Sequence, residues 1–230
     1  MTPLVLLPGM MCDARLFGPQ IEALSCMCTL HLATIAGHDT MAALAADVLA
    51  HAPPRFALAG LSMGGIVAME VFRQAPGRIE RIALLDTNPK AETEAIRQRR
   101  EPQMARARAG ELRAVMREEM KPNYLAEGPG RQPVLDLCMD MAEALGPEVF
   151  VRQSRALQSR PDQQDTLRRV AVPALVMCGE QDRLCPVGRH ELMHELIAGS
   201  RLAIVAGAGH LVTLEKPAEA NAALLEWLAA

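Results

Sequence analysis

The stretch Leu58-Ala59-Gly60-Leu61-Ser62-Met63-Gly64-Gly65 decides how this chain is read. An apolar run from Phe56 to Leu61 leads into a serine with glycine two places before it and two after. Apolar residues at helical spacing follow at once: Ile66, Val67, Met69, Val71 and Phe72. Strand, tight turn and helix are the context of a Gly-x-Ser-x-Gly nucleophile elbow, which stands the serine Oγ above the end of a sheet. Gly60 and Gly64 fit because strand and helix run too close there for a Cβ. Ser62 is the candidate nucleophile. The plainer reading is a glycine-rich turn in which Ser62 caps a helix.

Working outward, the same alternation repeats. Leu4 to Leu7 is a short apolar run closed by Pro8-Gly9, the pattern of a strand buried on both faces. Asp13 to Leu24 carries Leu16, Ile21 and Leu24 at helical intervals, and Leu30 to Ile35 reads as a second strand. Thr40 can cap a helix through Leu44, Val48 and Leu49. The helix after Ser62 stops at Pro76-Gly77. Further strands are expected at Arg81 to Asp86, Ala174 to Gly179 and Leu202 to Ala206, and a last helix at Pro217 to Leu228. Strands alternating with helices imply a parallel sheet covered on both faces.

The interval between the fourth and fifth strands breaks this rhythm. It is charged and rich in arginine, with no strand pattern, and Pro89 and Pro173 mark its limits. Breaks at Gly110, Pro122, Gly128-Pro129-Gly130 and Gly146-Pro147 predict four or five short helices. The expected division is a core of 1–89 and 173–230 with a helical lid inserted at 90–172, because active-site cover is the usual reason for a long insertion at this edge of a sheet.

Composition narrows the function classes. With 230 residues, half of them apolar, the chain can bury a sizeable core. A net charge of −3 with mixed signs argues against a general nucleic-acid binder. The N-terminus has no basic region and too short an apolar run for a signal peptide or membrane span. Six cysteines without metal-ligand spacing read as reduced, buried small hydrophobes, so a cytoplasmic protein is expected. Aromatics are scarce and methionines plentiful, which predicts pliable pockets lined by aliphatic and thioether groups.

A serine hydroxyl needs a base to take its proton and a carboxylate to orient that base. Asp182 falls just past the fifth strand in Cys178-Gly179-Glu180-Gln181-Asp182. His210 falls just past the sixth in Ala206-Gly207-Ala208-Gly209-His210. Ser62, Asp182 and His210 therefore lie beyond the C-terminal ends of parallel strands, in the chain order this elbow requires.

Four stretches together, Leu-Leu-Pro-Gly (6–9), Gly-Leu-Ser-Met-Gly-Gly (60–65), Gly-Glu-Gln-Asp-Arg-Leu-Cys-Pro (179–186) and Gly-His-Leu-Val-Thr-Leu-Glu-Lys-Pro (209–217), resemble the α/β-hydrolase fold over nearly the whole chain. The resemblance implies Ser62 as nucleophile, His210 as general base and then acid, and Asp182 as the orienting carboxylate. The oxyanion hole would use the backbone N–H groups of Met63 and Met10. Many relatives have His-Gly where this chain has Pro8-Gly9, and the chain begins at what would be the family's third strand. Six parallel strands in the order 2-1-3-4-5-6 are therefore expected, without the usual antiparallel pair.

The implied activity is hydrolysis of carboxylic esters or thioesters of small, largely aliphatic acids through an acyl-enzyme, without metal or organic cofactor. Met10, Met11, Met63, Leu184, Leu211, Tyr124 and Phe150 are expected to wall the substrate pocket. Carbon–carbon bond hydrolysis by the same triad and a non-catalytic ligand-binding role are the alternatives. The partner is a small molecule, or an ester linked to a carrier protein; the arginines of 97–117 would dock an acidic carrier or a carboxylated substrate, as in the carrier-linked methyl esterases of the family it resembles. Otherwise those arginines form solvated pairs with neighbouring glutamates.

Two rivals concern individual residues. His190-Glu191-Leu192-Met193-His194 spells the His-Glu-x-x-His zinc signature, with Glu215 or Glu219 as third ligand. Leu192, Met193, Leu196 and Ile197 define that helix's buried face, so His190 and His194 are expected on an exposed polar flank. Asp86 is the alternative acid; otherwise it is a turn residue near the pocket wall.

Overall fold

The computed structural model describes residues 2–128 and 130–230; Pro129, within the expected break at 128–130, lies outside them. Six strands form one sheet in the order 2-1-3-4-5-6, every neighbour parallel. They are β1 (Leu4–Leu7), β2 (Leu30–Leu32), β3 (Phe56–Leu61), β4 (Ile79–Leu85), β5 (Ala174–Gly179) and β6 (Arg201–Val205). Side chains alternate across the sheet. Val5, Leu7, Leu58, Ile82, Leu84 and Val176 face one core, while Leu4, Leu6, Ala57, Ala59, Leu61, Ala83, Leu85, Leu175 and Met177 face the other.

The central strands β1, β3 and β5 are buried throughout, which explains their unbroken apolar runs. β2 and β6 are edges and stay partly exposed. β2 is shorter than the expected Leu30 to Ile35 because it pairs with β1 alone and leaves it after Leu32. Ala33 still donates to the Leu6 carbonyl, and Ile35 turns into the core.

Helices cover both faces. α1 (Gly18–Leu24) and α9 (Pro217–Ala229) pack together beneath one. α2 (Met41–His51), α3 (Met63–Gln74) and α8 (Val187–Leu196) pack on the other. The expected helix from Asp13 is two pieces, a 3₁₀ turn at Ala14–Phe17 and then α1. Pro19 carries no N–H and so starts a new helix at Gly18.

Between β4 and β5 the described residues form no strand. α4 (Glu94–Arg106) runs into single turns around α5 (Leu112–Val115), and α6 (Arg131–Gln158) and α7 (Gln164–Leu167) follow. Gly110 (φ 91°) breaks the first run and Gly146 (φ 79°) divides α6, both in the left-handed region that favours glycine. Pro122 sits in a 3₁₀ turn. No helix of the described residues is long and apolar enough to cross a membrane.

Candidate active site

Five loops leave the sheet along one edge, following β1, β3, β4, β5 and β6, and they assemble the site. Ser62 ends β3 with φ 54° and ψ −116°, a conformation that L residues rarely adopt. Close packing enforces it. A Cβ on Gly64 would collide with the Leu7 and Pro8 carbonyls, and one on Gly60 would collide with the Gly64 backbone. Thr87 braces the turn, its Oγ1–H donating to the Ser62 carbonyl at 2.7 Å.

His210 Nε2 lies 2.8 Å from Ser62 Oγ, and His210 Nδ1 lies 2.8 Å from Asp182 Oδ2. A carboxylate only accepts, so the network assigns the proton to Nδ1 and leaves Nε2 as acceptor for the serine hydroxyl. The other Asp182 oxygen accepts from the N–H groups of Leu184 and Cys185 at 2.8 and 2.9 Å. Asp182 and His210 are buried while Ser62 keeps some exposure. Only the hydroxyl end of the relay is open.

Glu215 aims the histidine loop. Its carboxylate accepts from Gly209 N–H (3.0 Å), Leu211 N–H (3.0 Å) and Ala126 N–H (2.8 Å). His210 N–H itself donates to the Tyr124 carbonyl at 2.6 Å. The loop after β1 is fixed from above as well. Gln153 Oε1 accepts from Met11 N–H at 2.8 Å, and Gln153 Nε2 donates to the Ile35 carbonyl at 3.1 Å. Met11 has φ 55° at this point. The N–H groups of Met10 and Met63 have no acceptor among the described residues, and both residues line the cavity beside Ser62.

That cavity holds about 180 Å³. Tyr124, Leu184 and Leu211 line it together with Ile66, Met120 and Leu157. Burial holds the Tyr124 phenol well above its usual range, so it stays protonated beside the His210 ring. Met11 and Phe150 are elsewhere: both are fully buried in the aliphatic core and neither reaches the cavity. The turn at Met11 directs its side chain inward, and Phe150 lies on the core side of α6. Cys185 also lines the cavity and Cys26 is exposed, so not every cysteine is a buried hydrophobe.

His190 is not on an exposed flank. It is fully buried, and its Nε2 accepts from Thr87 N–H at 3.0 Å. Burial pushes its pKa down to about 4, outweighing the opposing charge of Asp182, so the imidazole is neutral. His194 is exposed, with Nδ1 2.8 Å from Ser200 Oγ. The two rings thus serve different neighbours, and the Glu215 carboxylate is already taken by three N–H groups. Among the described residues the one cluster with metal-like spacing is instead Asp182, Cys185 and His210. The zinc arrangement of His190 and His194 is not formed.

Asp86 is no pocket-wall residue either. It is fully buried at φ 43°, and its two oxygens accept from Gly179 N–H (2.9 Å) and Val212 N–H (3.0 Å). Burial first, and then the charge of Asp182, push its pKa well up. It ties β5 to the segment that follows His210 while Asp182 makes the contact to the ring.

Comparison with known proteins agrees with this frame. The chain is 26% identical over 243 residues to a pimeloyl-(acyl-carrier protein) methyl ester esterase of Xanthomonas oryzae pv. oryzae, covering 98% of this chain and 94% of that one. A thermophilic esterase from Thermogutta terrifontis, solved with malate bound, superposes with a TM-score of 0.91 at 27% identity, over 100% of this chain and 90% of that one. An enol-lactonase from Burkholderia xenovorans shares the fold, with a TM-score of 0.88 at 24% identity over 100% and 92% of the two chains. A family model described as the alpha/beta hydrolase family matches residues 4–224, all six strands included, and the chain belongs to that family.

Proposed function

We propose that this hydrolase cleaves carboxylic esters or thioesters of small, largely aliphatic acids, with Ser62 as nucleophile, His210 as base and acid, and Asp182 as the carboxylate that orients the ring. The observation that carries this reading is the unbroken relay from Ser62 Oγ through His210 to Asp182, each contact 2.8 Å. In the first half-reaction Ser62 Oγ attacks the acyl carbon as its proton moves to His210 Nε2. The developing oxyanion accepts from the N–H groups of Met10 and Met63. The bond to the leaving oxygen or sulfur then breaks, and that atom takes the proton from His210. Water attacks the acyl-enzyme in the second half, gives one proton to His210, and releases the acid as the proton returns to Ser62.

In this reading the helical stretch 90–172 is the lid. It supplies Tyr124, Met120 and Leu157 to the cavity wall and holds both the histidine loop and the oxyanion loop. Its arginines are mostly matched within it: Arg97 with Glu94, Arg106 with Glu111 and Glu119, Arg113 with Glu143, Arg117 with Glu118. That internal pairing favours a small-molecule ester over one held on an acyl-carrier protein, the substrate named for the Xanthomonas relatives.

The test is a panel of p-nitrophenyl esters of graded chain length, run on the wild type and on Ser62→Ala, with a fluorophosphonate label mapped by peptide. Hydrolysis of the short chains, its loss by about 10³-fold or more in the variant, and label on Ser62 alone are expected. Equal rates for the two proteins would remove the esterase reading.

A further inference from the structure

The wall of the cavity carries a charge arrangement that ester hydrolysis does not require. Arg100, Arg160 and Glu92 all line it. Glu92 is buried, and both its oxygens are taken by Arg100, Nε at 2.6 Å and Nη2 at 2.8 Å, in a two-point grip. Arg160 is left over. Its nearest approach to Glu92 is 3.9 Å, beyond hydrogen-bond range, and its guanidinium makes no hydrogen bond among the described residues. Yet the residue is 8% exposed, and its Nε is sealed without a partner. Burial lowers its pKa, but guanidinium remains cationic at any pH the protein meets. The remaining charges around the cavity do not cancel it: Glu119 is held by Arg106 and Gln103, and Arg99, on the exposed side, adds a further positive charge.

A buried charge short of a partner is costly, and a binding site is where such a cost is offset by a ligand. We propose that the cavity takes substrates whose acyl chain ends in a free carboxylate, that is, monoesters of short dicarboxylic acids, with Arg160 as the carboxylate's anchor. This deepens, and rests on, the ester-hydrolase reading above. The cavity volume sets the length. About 180 Å³ admits a four- to six-carbon diacid whose other end sits over Ser62. The apolar middle of the chain lies against Ile66 and Leu157. A neutral ester fits the same space but leaves Arg160 unpaired.

The test compares monomethyl glutarate with methyl pentanoate, of equal chain length, in the wild type, Arg160→Met, Arg160→Lys and Ser62→Ala. The expected wild-type preference for the charged ester is about 10- to 100-fold in kcat/KM, the fold-change commanded by a charge-assisted hydrogen bond. Arg160→Met brings the ratio of the two substrates to about one, and Arg160→Lys retains part of it. Free glutarate should raise the melting temperature of Ser62→Ala and not that of Ser62→Ala/Arg160→Met, a readout that needs no turnover. A wild-type ratio near one, with glutarate giving no shift, overturns the carboxylate site while leaving the esterase intact. Neither ester turning over above Ser62→Ala overturns the esterase reading and this inference with it. A purely structural Arg160 lowers both rates alike and leaves the ratio unmoved, which also counts against the proposal.

Discussion

Replacing the buried imidazole of His190 by an amide tests the electrostatics of the elbow's support. Its pKa of about 4 in the folded chain stands against 6.5 for an ordinary imidazole. Between those values the unfolded chain binds a proton that the native state refuses, so stability falls as pH drops. The contribution is intact above about pH 6.5 and gone below about pH 4. At about 1.4 kcal/mol per pH unit between the two values the contribution is about 3 kcal/mol, most of it lost by pH 4.5. His190→Gln retains an acceptor for Thr87 N–H but cannot titrate. Urea unfolding of both proteins at pH 7.5 and 4.5 separates the effect, because the other histidines cancel in the difference. The wild type should lose about 2–3 kcal/mol more than the variant over that interval. Parallel stability profiles for the two proteins, or an NMR titration of His190 centred near pH 6.5, would refute the reasoning.

Two further substitutions probe the backbone. Glu215→Ala strips the acceptor from three N–H groups around His210, and should lower stability by about 2–4 kcal/mol and kcat by about 10- to 100-fold. Glu215→Gln, which retains one acceptor oxygen, should fall between, and wild-type kcat in the alanine variant would show that the loop aims itself. Gly64→Ala places a methyl against the Leu7 carbonyl and should cost about 3 kcal/mol or more, read as insolubility or a collapsed melting temperature. A melting temperature within a few degrees of the wild type would mean that the approach of α3 to β1 is looser than described.

The fold was legible because β1, β3 and β5 are unbroken apolar runs and each chemistry-bearing residue follows a strand. Ser62, Asp182 and His210 come together because the ends of β3, β5 and β6 do, and order along the chain encodes that. What stayed hidden depends on contacts between distant segments. Gln153 under the Met11 amide and Arg100 locking Glu92 lie in helices whose composition reads as solvated charge. Helical periodicity placed His190 on the polar side of α8, and tertiary packing overrode it, since Thr87 after β4 supplies a donor that no local pattern reveals. Asp86 misled for the same reason, its partners being backbone N–H groups more than ninety residues away.

The stitching of Tyr124 and Ala126 to the histidine loop bears on how this scaffold can be re-engineered. A helical insertion transplanted from a relative will aim His210 correctly only if it brings a carbonyl and an amide to those two places. Chimaeras that match the insertion's outline but not this pair of backbone groups should fold and yet turn over poorly. A single junction at 89 lets residues 124–126 and 207–215 travel from one parent, whereas a second junction at 173 would separate them.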